Sequence, residues 1–183
     1  MSDQFDVILA DPPWTFSVYN AAKSPKHASH HYDLLSTEDI CNLTVPAAEN
    51  CALFLWATWP NIMDAFRVIE AWGFTYRTLA WCWVKLNKRS MSFFTGLGYY
   101  TRSNTEPCLL AVRGKMSVQA HDVQALIVSP VRQHSRKPDE QYPKIERLYP
   151  NMRYLEMFAR QKRPGWSAWG NEVASDIDVL TKS

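Results

Sequence analysis

Phe5-Asp6-Val7-Ile8-Leu9-Ala10-Asp11-Pro12-Pro13-Trp14 decides the fold. An apolar run of this kind reads as a short buried strand. Two prolines stop it, because they fix φ and carry no backbone N–H. Asp11 is held extended by the proline that follows it. A carboxylate, rigid backbone carbonyls and a flat indole are thus expected at one strand end. Open α/β sheets bind ligands at the carboxyl ends of their strands. That combination suits a flat, amine-bearing molecule.

The rest of the chain supports an α/β reading. With 183 residues it fits a single domain over 1–183, with an acidic, peripheral tail from about 174. Hydrophobic residues make up 46%, which argues against wholesale disorder. The net charge is only +2, so any nucleic-acid surface must be a local patch. Cys41, Cys51, Cys82 and Cys108 form no CxxC pair and read as buried thiols. With no leader and no membrane-length apolar run, a cytoplasmic protein without membrane contact is expected.

Residues 15–35 form a polar loop with His27, His30, His31 and Tyr32. Its length marks a functional lid or binding loop. Its histidines lack the Cys or carboxylate partners of a metal site, so no metal is expected. Ser36 caps a short helix, with Asp39 three residues on. Cys51–Trp56 is a strand covered on both faces. Pro60 opens a helix with Ile62, Phe66 and Ile69 buried, and Gly73 closes it. Phe74–Lys85 is the next strand, which makes a βαβ unit with directly paired parallel strands.

A second loop, 86–104, interleaves Lys88, Arg89, Phe93, Phe94, Tyr99, Tyr100 and Arg102. Cations for phosphate and rings for bases suit a single-stranded or flipped nucleotide. Glu106–Arg113 and Ala125–Val131 are further strands, and Pro138-Asp139-Glu140 starts a helix. Ahead of that start sits a cationic cluster, Arg132, Arg136 and Lys137, placed to hold an anion. Arg153–Arg160 is a last strand, and a turn bearing Asn171 and Glu172 could hold sugar hydroxyls.

Taken in order, DPPW at 11–14, LFLW at 53–56, WVK at 83–85, EPCLLAVRG at 106–114, HSRKPDE at 134–140, IERLYP at 145–150, LEMFAR at 155–160 and GWSAWGNE at 165–172 carry a resemblance. The chain resembles the S-adenosylmethionine-dependent adenine N6-methyltransferases that include the catalytic subunit of the eukaryotic messenger-RNA adenosine methyltransferase. HHY at 30–32 and the short length look most like compact bacterial and phage members.

The resemblance implies a class I, Rossmann-like methyltransferase sandwich, mostly parallel with one antiparallel strand and a permuted motif order. It implies methyl transfer from S-adenosylmethionine to adenine N6 in nucleic acid, DNA ahead of RNA. A catalytically silent nucleic-acid-binding subunit is the alternative, and a homo-oligomer or partner subunit is expected. Asp11, Pro12, Pro13 and Trp14 would be catalytic: Asp11 and the Pro12 carbonyl would accept the amine hydrogens, and Trp14 would stack on the base. Asp11 and Lys137 would meet the cofactor's methionine part. Phe158, Arg160, Asn171 and Glu172 would lie along it, with ribose held by Arg160 and Asn171 and Glu172 beside them. Tyr32, Glu106 and Ser135 would surround the target adenosine, flanked by Lys88, Arg89, Tyr99 and Arg102. Two departures stand out. The acidic residue that many relatives carry before the catalytic strand has no match in the ten residues ahead of Asp11. Gln161-Lys162-Arg163 follows Arg160, where some relatives carry His-Asn.

Overall fold

The computed structural model describes residues 4–15, 35–98, 100–133 and 136–182. Its strands are β1 (Phe5–Ala10), β2 (Ala47–Trp56), β3 (Thr75–Leu86), β4 (Thr105–Arg113), β5 (Leu126–Pro130), β6 (Tyr154–Met157) and β7 (Trp166–Trp169). The helices are α1 (Thr37–Cys41), α2 (Ile62–Ala71) and α3 (Gln141–Leu148). One seven-stranded sheet runs β5-β3-β4-β2-β1-β6-β7. β4 alone is antiparallel to its neighbours; the other pairs are parallel.

Alternation along the strands builds two cores. Ile8, Ala10, Leu53, Leu55, Leu109, Ala111, Leu155 and Met157 face one way, under Ile40 of α1 and Ala65, Val68 and Ile69 of α2. Val7, Leu9, Ala52, Phe54, Trp56, Cys108, Leu110 and Tyr154 face the other, under Tyr142 and Ile145 of α3. The fold is therefore a sheet sandwiched between helices, as the resemblance implied.

Several local expectations change. β2 and β3 run in the same direction but do not pair, because β4 returns between them and bonds both. On α2 the fully buried positions are Ala65, Val68 and Ile69, while Ile62 and Phe66 are only partly buried. The strand expected over Arg153–Arg160 is β6, which stops at Met157 because Phe158 adopts φ 63° and turns the chain, and it is not the last, since β7 follows where no strand was expected. α3 begins at Gln141, after a turn in which the Gln141 N–H donates to Pro138. Cys51 and Cys108 are buried, but Cys41 and Cys82 are partly exposed. The segment after 173 is not peripheral. Ile177 and Val179 pack on the α1/α2 core, and Lys182 Nζ donates to the Ala71 carbonyl at 2.7 Å.

Candidate active site

Because every strand but β4 shares one direction, their carboxyl ends form a single edge. Asp11 follows β1 there, Phe158 and Arg160 follow β6, and Lys137 lies between β5 and α3. Lys85, next to last in β3, and Glu106, second in β4, lie at that same edge. An open cleft at this edge is lined by Leu9, Asp11, Lys137, Glu156, Phe158 and Arg160, with Trp56, Arg136, Gln141, Tyr142 and Gln161 completing it.

An alternating chain of charges runs behind the cleft. Lys137 Nζ lies 2.7 Å from Asp11 Oδ1 and 2.9 Å from Glu106 Oε1. Lys85 Nζ lies 2.7 Å from the other Glu106 oxygen. The side chains of Lys137 and Glu106 are each 8% exposed and that of Asp11 is 24%, so Asp11 is the most exposed member of the chain and lines the cleft together with Lys137. A buried charge is tolerated when it is paired and hydrogen-bonded, and this chain meets that condition.

The same contacts set the proton affinities. Burial pushes the Asp11 carboxyl above the ordinary range, and the Lys137 ammonium opposes that rise. Burial also pushes Glu106 up, but Lys137 and Lys85 together outweigh it and hold Glu106 below its ordinary value. Burial disfavours charge on Lys137, yet its two carboxylate partners prevail and keep it firmly protonated. Glu156 is different. Burial raises its carboxyl to about 7, against the hydrogen bond that Tyr142 donates to both its oxygens. A titratable group tuned near neutrality inside a cleft is typical of functional sites.

The backbone of the opening motif is also engaged. The Trp14 N–H donates to the Pro12 carbonyl at 2.9 Å, and the Leu35 N–H donates to Pro13 at 3.1 Å. A carbonyl has two lone pairs, so Pro12 keeps one acceptor site. Trp14 departs from the stacking role expected of it. Its ring is 5% exposed in the α1/α2 core, and its indole N–H donates to the Trp56 carbonyl at 3.0 Å. It anchors the strand end and presents little face to a base.

The structure brings Asp11, Glu106, Lys137, Phe158 and Arg160 to one place. Glu106 does so through its two lysines, with both carboxylate oxygens already engaged. Glu172 stands 3.7 Å from Arg160 Nε at the edge of the group, while Asn171 is exposed on the same turn and does not line the cleft. Lys88, Arg89 and Arg102 are exposed in the β3–β4 loop, away from the cleft lining. Tyr32, Tyr99 and Ser135 lie outside the described residues.

The cationic cluster is not an open anion cradle. Arg132 and Arg136 both donate to Asp139, and Arg163 lies 3.6 Å from it. Sequence reasoning missed Glu156, Gln141 and Tyr142. The available signal was a lone carboxylate inside the apolar strand Tyr154-Leu155-Glu156-Met157. Gln141 showed none; its side-chain oxygen accepts the Trp56 indole N–H at 2.7 Å across the fold.

A sequence profile described as MT-A70 matches residues 5–172. The chain belongs to the MT-A70 family. It is 35% identical over 174 residues to a probable N(6)-adenosine-methyltransferase MT-A70-like of Oryza sativa subsp. japonica, covering 93% of this chain and 23% of the relative. It is 32% identical over 199 residues to the type II methyltransferase M.MunI of Mycoplasma sp, covering 98% and 82%. The N(6)-adenosine-methyltransferase catalytic subunit METTL3 of Homo sapiens is 31% identical over 188 residues, covering 98% and 30%. The chain thus spans less than a third of these two eukaryotic relatives and most of M.MunI. MT-A70 membership and the mostly parallel sheet together bear out the Rossmann-like methyltransferase fold.

Proposed function

We propose that this protein transfers a methyl group from S-adenosylmethionine to the N6 amine of adenine in nucleic acid, with DNA as the first polymer. The observation that carries the proposal is the Asp11 carboxylate, which reaches an open cleft at the strand edge with Lys137 fixed behind it. DNA is placed first because the motifs look most like compact bacterial and phage members, and the chain covers 82% of M.MunI, which is named a type II methyltransferase. RNA is the second reading, since the eukaryotic relatives are named for adenosine, a ribonucleoside.

The cleft suits the cofactor chemically. Asp11 and Glu156 offer carboxylates to an ammonium, Arg160 offers a guanidinium, and Phe158 offers a ring. Lys137 would approach a carboxylate only while sharing itself with Asp11 and Glu106. Arg160 and Glu172 would flank the ribose, with Asn171 beside them. When bound, S-adenosylmethionine supplies an electrophilic methyl on a sulfonium leaving group.

The chain's own residues place the amine. Asp11 accepts one N6 hydrogen, and the spare lone pair of the Pro12 carbonyl accepts the other. Fixed acceptors keep the nitrogen lone pair aimed without reorganisation during the reaction. Lys137 holds Asp11 ionised beforehand. Burial raises the proton affinity of Asp11, so an Asp11 oxygen can take the proton that N6 sheds. A duplexed adenine has to leave its stack to reach this position.

The test is methyl transfer to single-stranded DNA, duplex DNA and RNA, with product nucleosides identified. N6-methyladenine on at least one polymer is expected. Asp11→Asn should lower the rate by roughly 100-fold or more, as loss of a positioned proton acceptor does. Cofactor binding with no N6-methyladenine on any polymer would overturn the proposal and favour the silent-subunit alternative.

A further inference from the structure

Burial of Trp14 leaves the edge without the stacking ring expected there, and a second indole stands nearby. Trp59 lies in the one-turn 3-10 helix Trp59–Asn61 that follows β2 at the carboxyl edge. It is 48% exposed, although most tryptophans of the chain are buried. Its position is rigid. Pro60 follows it, and its indole N–H donates to Thr105 Oγ1 at 2.9 Å. Thr105 adjoins Glu106, the central carboxylate of the chain that ends on Asp11. Asn61 Nδ2 of the same turn donates at 2.9 Å to the carbonyl of Thr15, directly after the Asp-Pro-Pro-Trp motif. The turn bearing Trp59 is thus tied on one side to the catalytic motif and on the other to the start of β4.

We infer that Trp59 is a stacking platform for an unpaired nucleobase of the substrate strand next to the target adenine. This rests on the nucleic-acid reading above. Bonding of the indole N–H fixes the ring edge and leaves its faces for contact, which suits stacking. Any base has a π-face, so the platform favours unpaired strand without choosing a sequence. Asp64, one turn into α2, is itself paired with Arg67 and Asn61.

The test uses deoxy and ribo forms of one single-stranded oligonucleotide carrying 2-aminopurine beside an adenine. Trp59→Ala and Trp59→Leu should each weaken binding about 10-fold or more and abolish the quenching of 2-aminopurine, the size expected for one lost stacked base. Trp59→Phe should stay within about threefold of the parent. Leucine keeps apolar bulk without a π-face, so it separates stacking from simple contact area. Binding of S-adenosylhomocysteine and thermal stability should not change. The inference is overturned if neither oligonucleotide binds, if the Ala and Leu variants bind and quench like the parent, or if the Phe variant loses as much as they do. Methyl transfer is scored separately. Trp59-dependent quenching without methylation leaves the platform standing and removes the activity; methylation with Trp59-independent binding does the reverse.

Discussion

Burial makes Asp11 more basic than an ordinary carboxylate, and Lys137, shared between two carboxylates, tempers that rise. The negative charge on Glu106 raises the Asp11 proton affinity, while Lys137 lowers it. Glu106→Gln removes the first influence and leaves Lys137 to Asp11 alone. The acidic limb of the kcat/KM profile should then move to lower pH. A less basic Asp11 is a weaker proton acceptor, so kcat should fall as well. A pH–rate series on parent and variant checks both. Glu156 gives a stability prediction of definite sign. Its carboxyl is raised from 4.5 to about 7, so between those values the folded protein holds a proton that the unfolded chain releases. Stability therefore falls as pH rises through that window. Glu156→Gln should be more stable than the parent at pH 8 by roughly 1–3 kcal/mol and nearly equal to it at pH 4, as read from denaturant unfolding at both.

The β6–β7 pair shows how one strand end shapes the cleft. β6 stops at Met157 because Phe158 takes φ 63°, a conformation that bulky residues rarely adopt. The Ala159 N–H then donates to the Trp169 carbonyl at 2.9 Å, and Gly170 lies close against the Ala159 backbone. A Cβ at Gly170 would run into the Ala159 carbonyl oxygen and lie 2.7 Å from its nitrogen. Both are backbone atoms that cannot swing aside. Gly170→Ala should cost roughly 1–3 kcal/mol of stability, typical of overpacking. It should also displace Phe158 and Arg160 and weaken S-adenosylhomocysteine binding, measurable by calorimetry. The Phe158 turn was invisible in sequence because no glycine marks it. The cap of α1 was legible: Ser36 Oγ accepts the Asp39 N–H at 3.1 Å, and the Asp39 carboxylate accepts the Ser36 N–H at 3.2 Å, as the Ser-x-x-Asp spacing predicts.

Across the whole molecule, the segment after Val173 returns over α1 and α2. The Thr44 N–H donates to Leu180 at 2.7 Å, and the Lys182 N–H donates to Asn42 at 2.6 Å. Ending the chain at Val173 should expose the core beneath Ile177 and Val179 and lower Tm by several degrees, since about 1 kcal/mol shifts Tm by ~2–8 °C in domains of this size range. Thermal unfolding with and without the segment measures this. The composition of the segment hid that role: its two aspartates are conspicuous, while two isolated aliphatics carry the packing. The sequence alone determined β1 to β6, the helix between β2 and β3, the carboxylate at the end of β1 and the family, because alternation, proline placement and ordered motifs are local properties of the chain. Only the tertiary structure decided that β4 separates β2 from β3, that Lys137 bridges Asp11 and Glu106, that Trp14 is buried, and that Glu156 faces the cleft. Those outcomes depend on contacts such as Asp11 with Lys137, 126 residues apart, whose partners compete for the same charge and space only once the sheet has closed.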